Sequence, residues 1–321
     1  MAKYRTRLPQ LSDKLFLTDA GMETFLIFHE GTDLPYFAAF DLMKSDGGLA
    51  QVRRYYERFM ALARRHGLGF VLESPTWRAN AEWAAKLGYG RDSLADANRQ
   101  AIALMAQLRD AYETPDAPIV ISGNIGPRGD GYRSDAMMSA KEAEDYHGEQ
   151  VTVFRNTAAD FVSAFTLNYV NEAIGIARAA KSAGMPVVLS FTVETDGRLP
   201  TGQSLKEAIL ETDAETGSAP AYYMLNCAHP SHFQDALDLG EPWIERLRGL
   251  RANASRRSHA ELDAATDLDA GDPVALGHQY RDLRRRLPRL NVLGGCCGTD
   301  FRHVEQICFA CAPVDAQRSV A

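Results

Sequence analysis

The sequence predicts an α/β protein, a (β/α)8 barrel, from three features of its 321 residues. Short apolar runs alternate with segments of helical period eight times along the chain. The runs are rich in Val, Ile and Leu, as parallel strands covered on both faces are. Polar residues recur at the carboxyl end of one run after another, on the rim where such barrels build their sites. A doubly wound open sheet is the competing arrangement. No Gly-x-Gly-x-x-Gly follows the first run and no Gly-Lys-Ser/Thr loop occurs, so its nucleotide-binding forms lose support. Residues 1–321 are expected to form a single barrel domain.

Taken in order, residues 15–21 are the first strand and end in Asp19. In residues 49–66, Leu49, Val52, Tyr55, Tyr56, Phe59, Leu62 and Ala63 share one helical face. Strand two is 69–73, ending in Glu73, and helical character over 80–113 breaks around Gly88 and Gly90. Strand three is 117–124, ending in Asn124, with a helix over 139–158. Strand four is 161–167, carrying Thr166 near its end, with a helix over 171–183. Strand five, 186–193, precedes a helix at 204–213; strand six, 222–226, precedes one at 231–239. Strand seven, 249–254, is the weakest signal, and its helix is 273–287. Between them, 251–272 turns from basic (Arg251, Arg256, Arg257) to acidic (Asp263, Asp267, Asp269, Asp272), the pattern of a solvated loop or a lid. Strand eight, 290–293, runs into Gly294-Gly295-Cys296-Cys297-Gly298-Thr299, and a last helix covers 301–310.

The chain has five cysteines and places two of them side by side. Neighbouring side chains on a regular strand face opposite ways. Both thiols reach one point only if the strand breaks there, which the flanking glycines permit. The readings are a metal site or two unrelated buried thiols. Cys227, at the end of strand six, supplies a third sulfur. Three thiolates suit Zn²⁺ better than a hard cation, and three protein ligands leave a fourth position open, as catalytic zinc requires. Cys308 and Cys311 offer an alternative closed four-cysteine site with Cys296 and Cys297, or are separate buried thiols on the last helix. Under oxidising conditions the expected bridge is the strained pair Cys296–Cys297, with the metal lost.

Composition narrows the partners. The net charge of −7 and pI near 5.7 argue against nucleic acid and anionic membranes. The first ten residues lack the apolar stretch of a secretory signal. No run approaches the roughly 18 apolar residues of a membrane span. Unpaired cysteines fit a reduced, cytoplasmic setting. Oligomeric state is not legible.

These motifs resemble the homocysteine S-methyltransferase family along nearly the whole chain. Gly294-Gly295-Cys296-Cys297-Gly298-Thr299, followed by His303, is similar to its closing signature, and Asn226-Cys227 to its other metal-ligand motif. Thr18-Asp19-Ala20-Gly21-Met22-Glu23-Thr24 resembles its opening Asp-Gly-Gly-Met-Gly-Thr. Glu73-Ser74-Pro75-Thr76-Trp77 resembles its Glu-Thr-Asn-Thr-Phe, and Ser122 to Pro127 its Ser-Ile-Gly-Pro turn. The resemblance implies a zinc-bearing barrel that methylates homocysteine to methionine. It implies that Cys227, Cys296 and Cys297 hold the metal, that the substrate sulfur is the fourth ligand, and that Asp19 lies near the substrate ammonium. One position departs: Phe165-Thr166 stands where the family carries Glu-Thr, the Glu of which holds the amino group. Phe165 either packs or shapes a pocket for another thiol or another donor.

The chemistry explains the residue types. A free thiol has a pKa near about 8.5 and is a weak nucleophile; zinc deprotonates it at neutral pH. The remaining task is to align thiolate and methyl group. The donor expected is a sulfonium or ammonium compound, such as S-methylmethionine, S-adenosylmethionine or a betaine. Trp77 is the candidate for resting its cation on a ring, or only packs a loop. Met22 and Glu23 either line the pocket or, for Glu23, face solvent. Asn226 orients the sulfur or caps a turn. Partners are thus a small thiol acceptor and a methyl donor, with a separate corrinoid protein as a further option. Two competing functions remain: a zinc hydrolase with Glu73 as base, and a thiol-binding zinc protein without turnover.

Overall fold

In the computed structural model, residues 1–237 and 240–312 are described. Eight parallel strands close in sequence order: β1 (Phe16–Leu17), β2 (Gly69–Glu73), β3 (Ile119–Ile125), β4 (Phe161–Leu167), β5 (Val187–Phe191), β6 (Tyr222–Asn226), β7 (Leu247–Ala252) and β8 (Val292–Gly295). β8 pairs with β1, Val292 opposite Phe16, so no strand edge remains. The helices are α1 (Met22–Phe28), α2 (Asp46–Arg65), α3 (Ala81–Ala85), α4 (Arg91–Tyr112), α5 (Ala140–Arg155), α6 (Val170–Ala183), α7 (Leu205–Thr216), α8 (Pro230–Phe233), α9 (His259–Asp263), α10 (Pro273–Arg286) and α11 (Phe301–Cys311). The expected break near Gly88 and Gly90 separates α3 from α4. The helix expected at 231–239 is shorter, and residues 238–239 lie outside the described ones. Among the described residues, no helix is long and apolar enough to cross a membrane.

Start and stop signals are local. Ser139, Ser204 and Ser258 each accept from the amide three residues on, while Glu142, Glu207 and Glu261 reach back to the capping serine. Such boxes satisfy amides that the first turn leaves unpaired. Gly184 and Gly217 end α6 and α7 in the left-handed conformation.

Strand periodicity sorts the core into two layers. Alternate residues pack outward against the helices. The others fill the bore, and its lower part is apolar: Phe16, Val71, Val120, Phe161, Val188, Tyr222, Met224 and Val292. Two residues further along the same strands the bore turns polar, with Glu73, Ser122, Ser163, Ser190 and Asn226, all buried. Ser122 and Ser163 hydroxyls lie 2.6 Å apart, and Ser190 Oγ donates to Asn226 Oδ1 at 2.6 Å. Paired hydroxyls let the barrel bury polarity without unsatisfied groups. Directly above this layer, at the carboxyl ends of the strands, stand the cysteines.

Candidate metal centre and substrate site

Cys227 follows β6, and Cys296 and Cys297 follow β8, so β7 is the one strand between them. The three sulfurs form a group whose ligand atoms all lie within 4.8 Å of one another. Cys227 and Cys296 have Cα atoms 5.4 Å apart, and Cys297 Sγ is 4.0 Å from Cys227 Sγ. Three sulfurs gathered this closely can share one metal ion. Cys308 and Cys311 are buried on α11 and belong to no metal-binding group among the described residues. Burial pushes their thiols up to about 12 and about 11.

The backbone under the sulfurs is strained and well held. Thr166 and Cys227 have φ of 63° and 55°, a region costly for residues with a Cβ, above all a β-branched one. Asn226 joins the two sites. Its Oδ1 accepts from Thr166 N and its Nδ2 donates to Thr166 Oγ1, both at 2.9 Å. The same Nδ2 lies 3.9 Å from Cys296 Sγ. Asn226 thus fixes both strand ends and touches the cluster. Cys227 O accepts from His259 Nε2 at 2.7 Å and from Asn253 Nδ2 at 3.0 Å. Cys296 N donates to Ala252 O at 2.8 Å, and Gly298, at φ +78°, permits the turn that brings Thr299 N back to Cys296 O.

Arg251 was read as part of a solvated charged loop; the structure buries it. It sits on β7 between Asn226 and Gly294 in register, two residues past Gly249, and so faces the bore. Its Nη1 lies 2.8 Å from Asp19 Oδ1, its Nε donates to Gly295 O at 3.0 Å and its Nη2 to Ala20 O at 2.9 Å. Tyr55 OH adds a 3.1 Å bond to Asp19 Oδ2. Burial pushes the Asp19 carboxyl up, against the pull of Arg251, and the buried carboxylates hold Arg251 above its ordinary value. Asp19, expected near the substrate ammonium, thus has Arg251 as its counter-ion.

The other expected residues divide. Thr166 and Asn226 stand at the cluster. Asn124 follows Ser122 on the inward face of β3, and its buried Oδ1 has no partner among the described residues. Trp77 is near the mouth, but its ring carries the Arg78 guanidinium at 3.9 Å, and Trp83 covers the other side of that cation at 3.8 Å. Burial lowers Arg78 to about 10. Met22 does not line a pocket; it is buried in the layer between barrel and helices. Glu23 is half-buried in the first turn of α1 and does not simply face solvent. Phe165 lies buried under Arg251, 5.3 Å from ring centre to Cζ, and its carbonyl accepts from Trp77 Nε1.

Glu73 is also engaged: its Oε2 accepts from Ser163 Oγ at 2.5 Å. Burial raises its carboxyl from 4.5 to about 6, although Arg251 and the serines oppose the shift. The folded state therefore prefers protonated Glu73, and that stability is full below about pH 4.5 and lost as pH rises through about 6, a change of about 2 kcal/mol. Relative to wild type, Glu73→Gln is expected to gain about that much between roughly pH 4 and 7. Urea titrations of both proteins at several pH values measure it, and a parallel pair of curves rejects it.

Tyr132 had no sequence signal. It sits in the connection after β3, outside any periodic segment. Its hydroxyl is 3.6 Å from Cys297 Sγ, and its ring stacks on His259 at 4.0 Å. His259 Nδ1 is 3.0 Å from Glu194 Oε1. Three loops therefore meet over the sulfurs. Burial raises the Cys297 thiol to about 11.

The barrel has known counterparts. Escherichia coli homocysteine methyltransferase MmuM, in its metallated form, superposes with a TM-score of 0.69 at 16% identity, covering 92% of this chain and 96% of that one. Its oxidised form gives 0.69 at 18% identity, covering 95% and 99%. These likenesses show the fold. Methionine synthases from Mycobacterium leprae and Mycobacterium tuberculosis are 25% and 26% identical over 69% and 70% of this chain. The chain matches only 18% and 19% of their lengths. Residues 16–311 match the sequence model of homocysteine S-methyltransferases, from the first residue of β1 to the last of α11. The chain belongs to the homocysteine S-methyltransferase family.

Proposed function

We propose that the protein is a zinc-dependent S-methyltransferase that moves a methyl group from a small sulfonium or ammonium donor to homocysteine, giving methionine. The observation that carries this reading is the gathering of Cys227, Cys296 and Cys297 at the barrel mouth. Soft sulfur donors with a vacancy for one more ligand fit zinc. Those three residues would hold it, and bound zinc supplies a thiolate form of the acceptor sulfur at neutral pH.

The protein's own residues do the rest. Asn226 and Thr166 hold the strand ends so that the cysteines meet without rearrangement. Arg251 ties β7 and β8 to β1, which fixes the floor of the pocket. Tyr132, stacked on His259, sets its hydroxyl 3.6 Å from Cys297 Sγ. Alignment of two bound reactants is worth many orders of magnitude in rate, and a rigid rim of this kind provides it. The hydrolase alternative has no support in the geometry, because Glu73 is committed to Ser163.

The test is incubation of reduced, zinc-loaded protein with homocysteine and, in turn, S-methylmethionine, S-adenosylmethionine and betaine. Methionine detected by mass with at least one donor, and lost on chelation, is the expected result. Formation that survives complete metal removal, or no product with any donor, overturns the reading.

A further inference from the structure

We propose that Glu23 receives the ammonium group of the acceptor, so that the site selects an aminothiol over a thiol whose only charged group is anionic. This rests on the reading that the cysteine cluster holds the acceptor sulfur. It assigns a specificity residue at the other end of that molecule.

Three carboxylates stand around the mouth, and two are committed. Asp19 is 3% exposed, paired with Arg251 at 2.8 Å and bonded by Tyr55. Arg251 cannot swing away cheaply, because it also holds Gly295 O and Ala20 O. Glu73 is 3% exposed, sits a layer lower and accepts from Ser163. Glu23 differs in both respects. It is half-buried, hence reachable, and among the described residues no other residue donates a hydrogen bond to its carboxylate. Phe165 leaves β4 without a charge at the corresponding height.

The backbone places Glu23 against the cluster. Gly21 N donates to Thr299 Oγ1 at 3.2 Å, and Gly298 N donates to Thr24 Oγ1 at 3.1 Å. A Cβ on Gly21 would stand 2.3 Å from Cys296 O. Glu23 therefore lies between two residues locked to the cysteine loop. Its charge acts on Cys297 and Arg78 as well as on Asp19 and Arg251, groups that border the mouth. Burial raises its carboxyl to about 7, with its own backbone amide opposing the shift. An anion held there with little solvent and no fixed partner gains most from a cation brought by a ligand.

The experiment compares homocysteine with 4-mercaptobutyrate, which keeps the thiol and carboxylate and lacks the ammonium. Binding of each to the zinc-loaded protein is measured by calorimetry for wild type, Glu23→Gln and Glu23→Asp, together with metal content, thermal midpoint and the KM of the donor. Glu23→Gln is expected to weaken homocysteine about 10- to 100-fold, the scale of one charge-assisted bond. It should leave 4-mercaptobutyrate, metal content and donor KM unchanged without lowering the thermal midpoint, and Glu23→Asp should recover part of the loss. Equal weakening of both thiols, equal wild-type affinity for both, or a loss confined to the donor KM overturns the assignment alone. Wild-type protein that binds neither thiol overturns the thiol-transfer reading and the assignment with it.

Discussion

Serine at position 227 is expected to empty the metal site and stop methyl transfer while the barrel stays folded. A serine hydroxyl is not ionised at neutral pH and is a poor soft ligand, so two sulfurs remain where three met. Changing a residue that merely orients a metal ligand costs about 10- to 100-fold in affinity or activity, and losing the ligand itself should exceed the upper figure. The fold should tolerate the change. The strained turn at Cys227 is held mainly through its own carbonyl, by His259 and Asn253, and through Asn226. Cys308→Ser serves as the control, because Cys308 lies on α11 outside the cluster. Metal content per chain after desalting, and methionine formation, distinguish the two. A Cys227→Ser protein that retains one metal per chain would mean that Cys227 is not a ligand.

The second large effect is on stability. Arg251→Met leaves Asp19 buried, with Tyr55 OH as its one side-chain partner among the described residues and no cation. Removing one member of a buried ion pair costs about 3–5 kcal/mol, far more than the intact pair contributes. Adding Asp19→Asn to Arg251→Met should return most of the loss, since the uncompensated charge is then gone. The pH dependence follows in sign. Asp19 is already pushed up by burial, with Arg251 opposing that shift. Without Arg251 its pKa rises further, so the variant is least destabilised at acidic pH and loses stability as pH increases. Denaturant titrations at about pH 5 and pH 8 on wild type, the single variants and the double variant measure both claims. An Arg251→Met protein as stable as wild type at both pH values rejects them.

Much of the barrel was legible because its cues are local. Strands β2, β4 and β6 fall where the apolar runs end in Glu, Leu and Asn, and the helix caps follow serine and glycine chemistry. Errors arose where the local pattern is ambiguous. β7, expected to begin at 249, starts at Leu247, and β8, expected to begin at 290, starts at Val292. Helix α1 went unseen because Met22–Phe28 is short and mostly apolar, without a polar face to reveal a period. Arg251 was misread for the same reason: three arginines within seven residues look like a solvated run, and only the inward parity of β7 separates the first from the others. Tyr132 and the Arg78 cation between Trp77 and Trp83 come from loops, which carry no periodicity.

The sequence by itself determined the alternation of strands and helices, the three sulfurs and the rim they would share, because a strand's ends and the residues on them are set by neighbours in the chain. Tertiary structure decided how charges pair: that Arg251 claims Asp19, that Ser163 claims Glu73, and that Glu23 is left half-buried beside the cysteine loop. Those partners are separated by tens to hundreds of residues. An ion pair forms or fails according to distances that exist only after the barrel has closed.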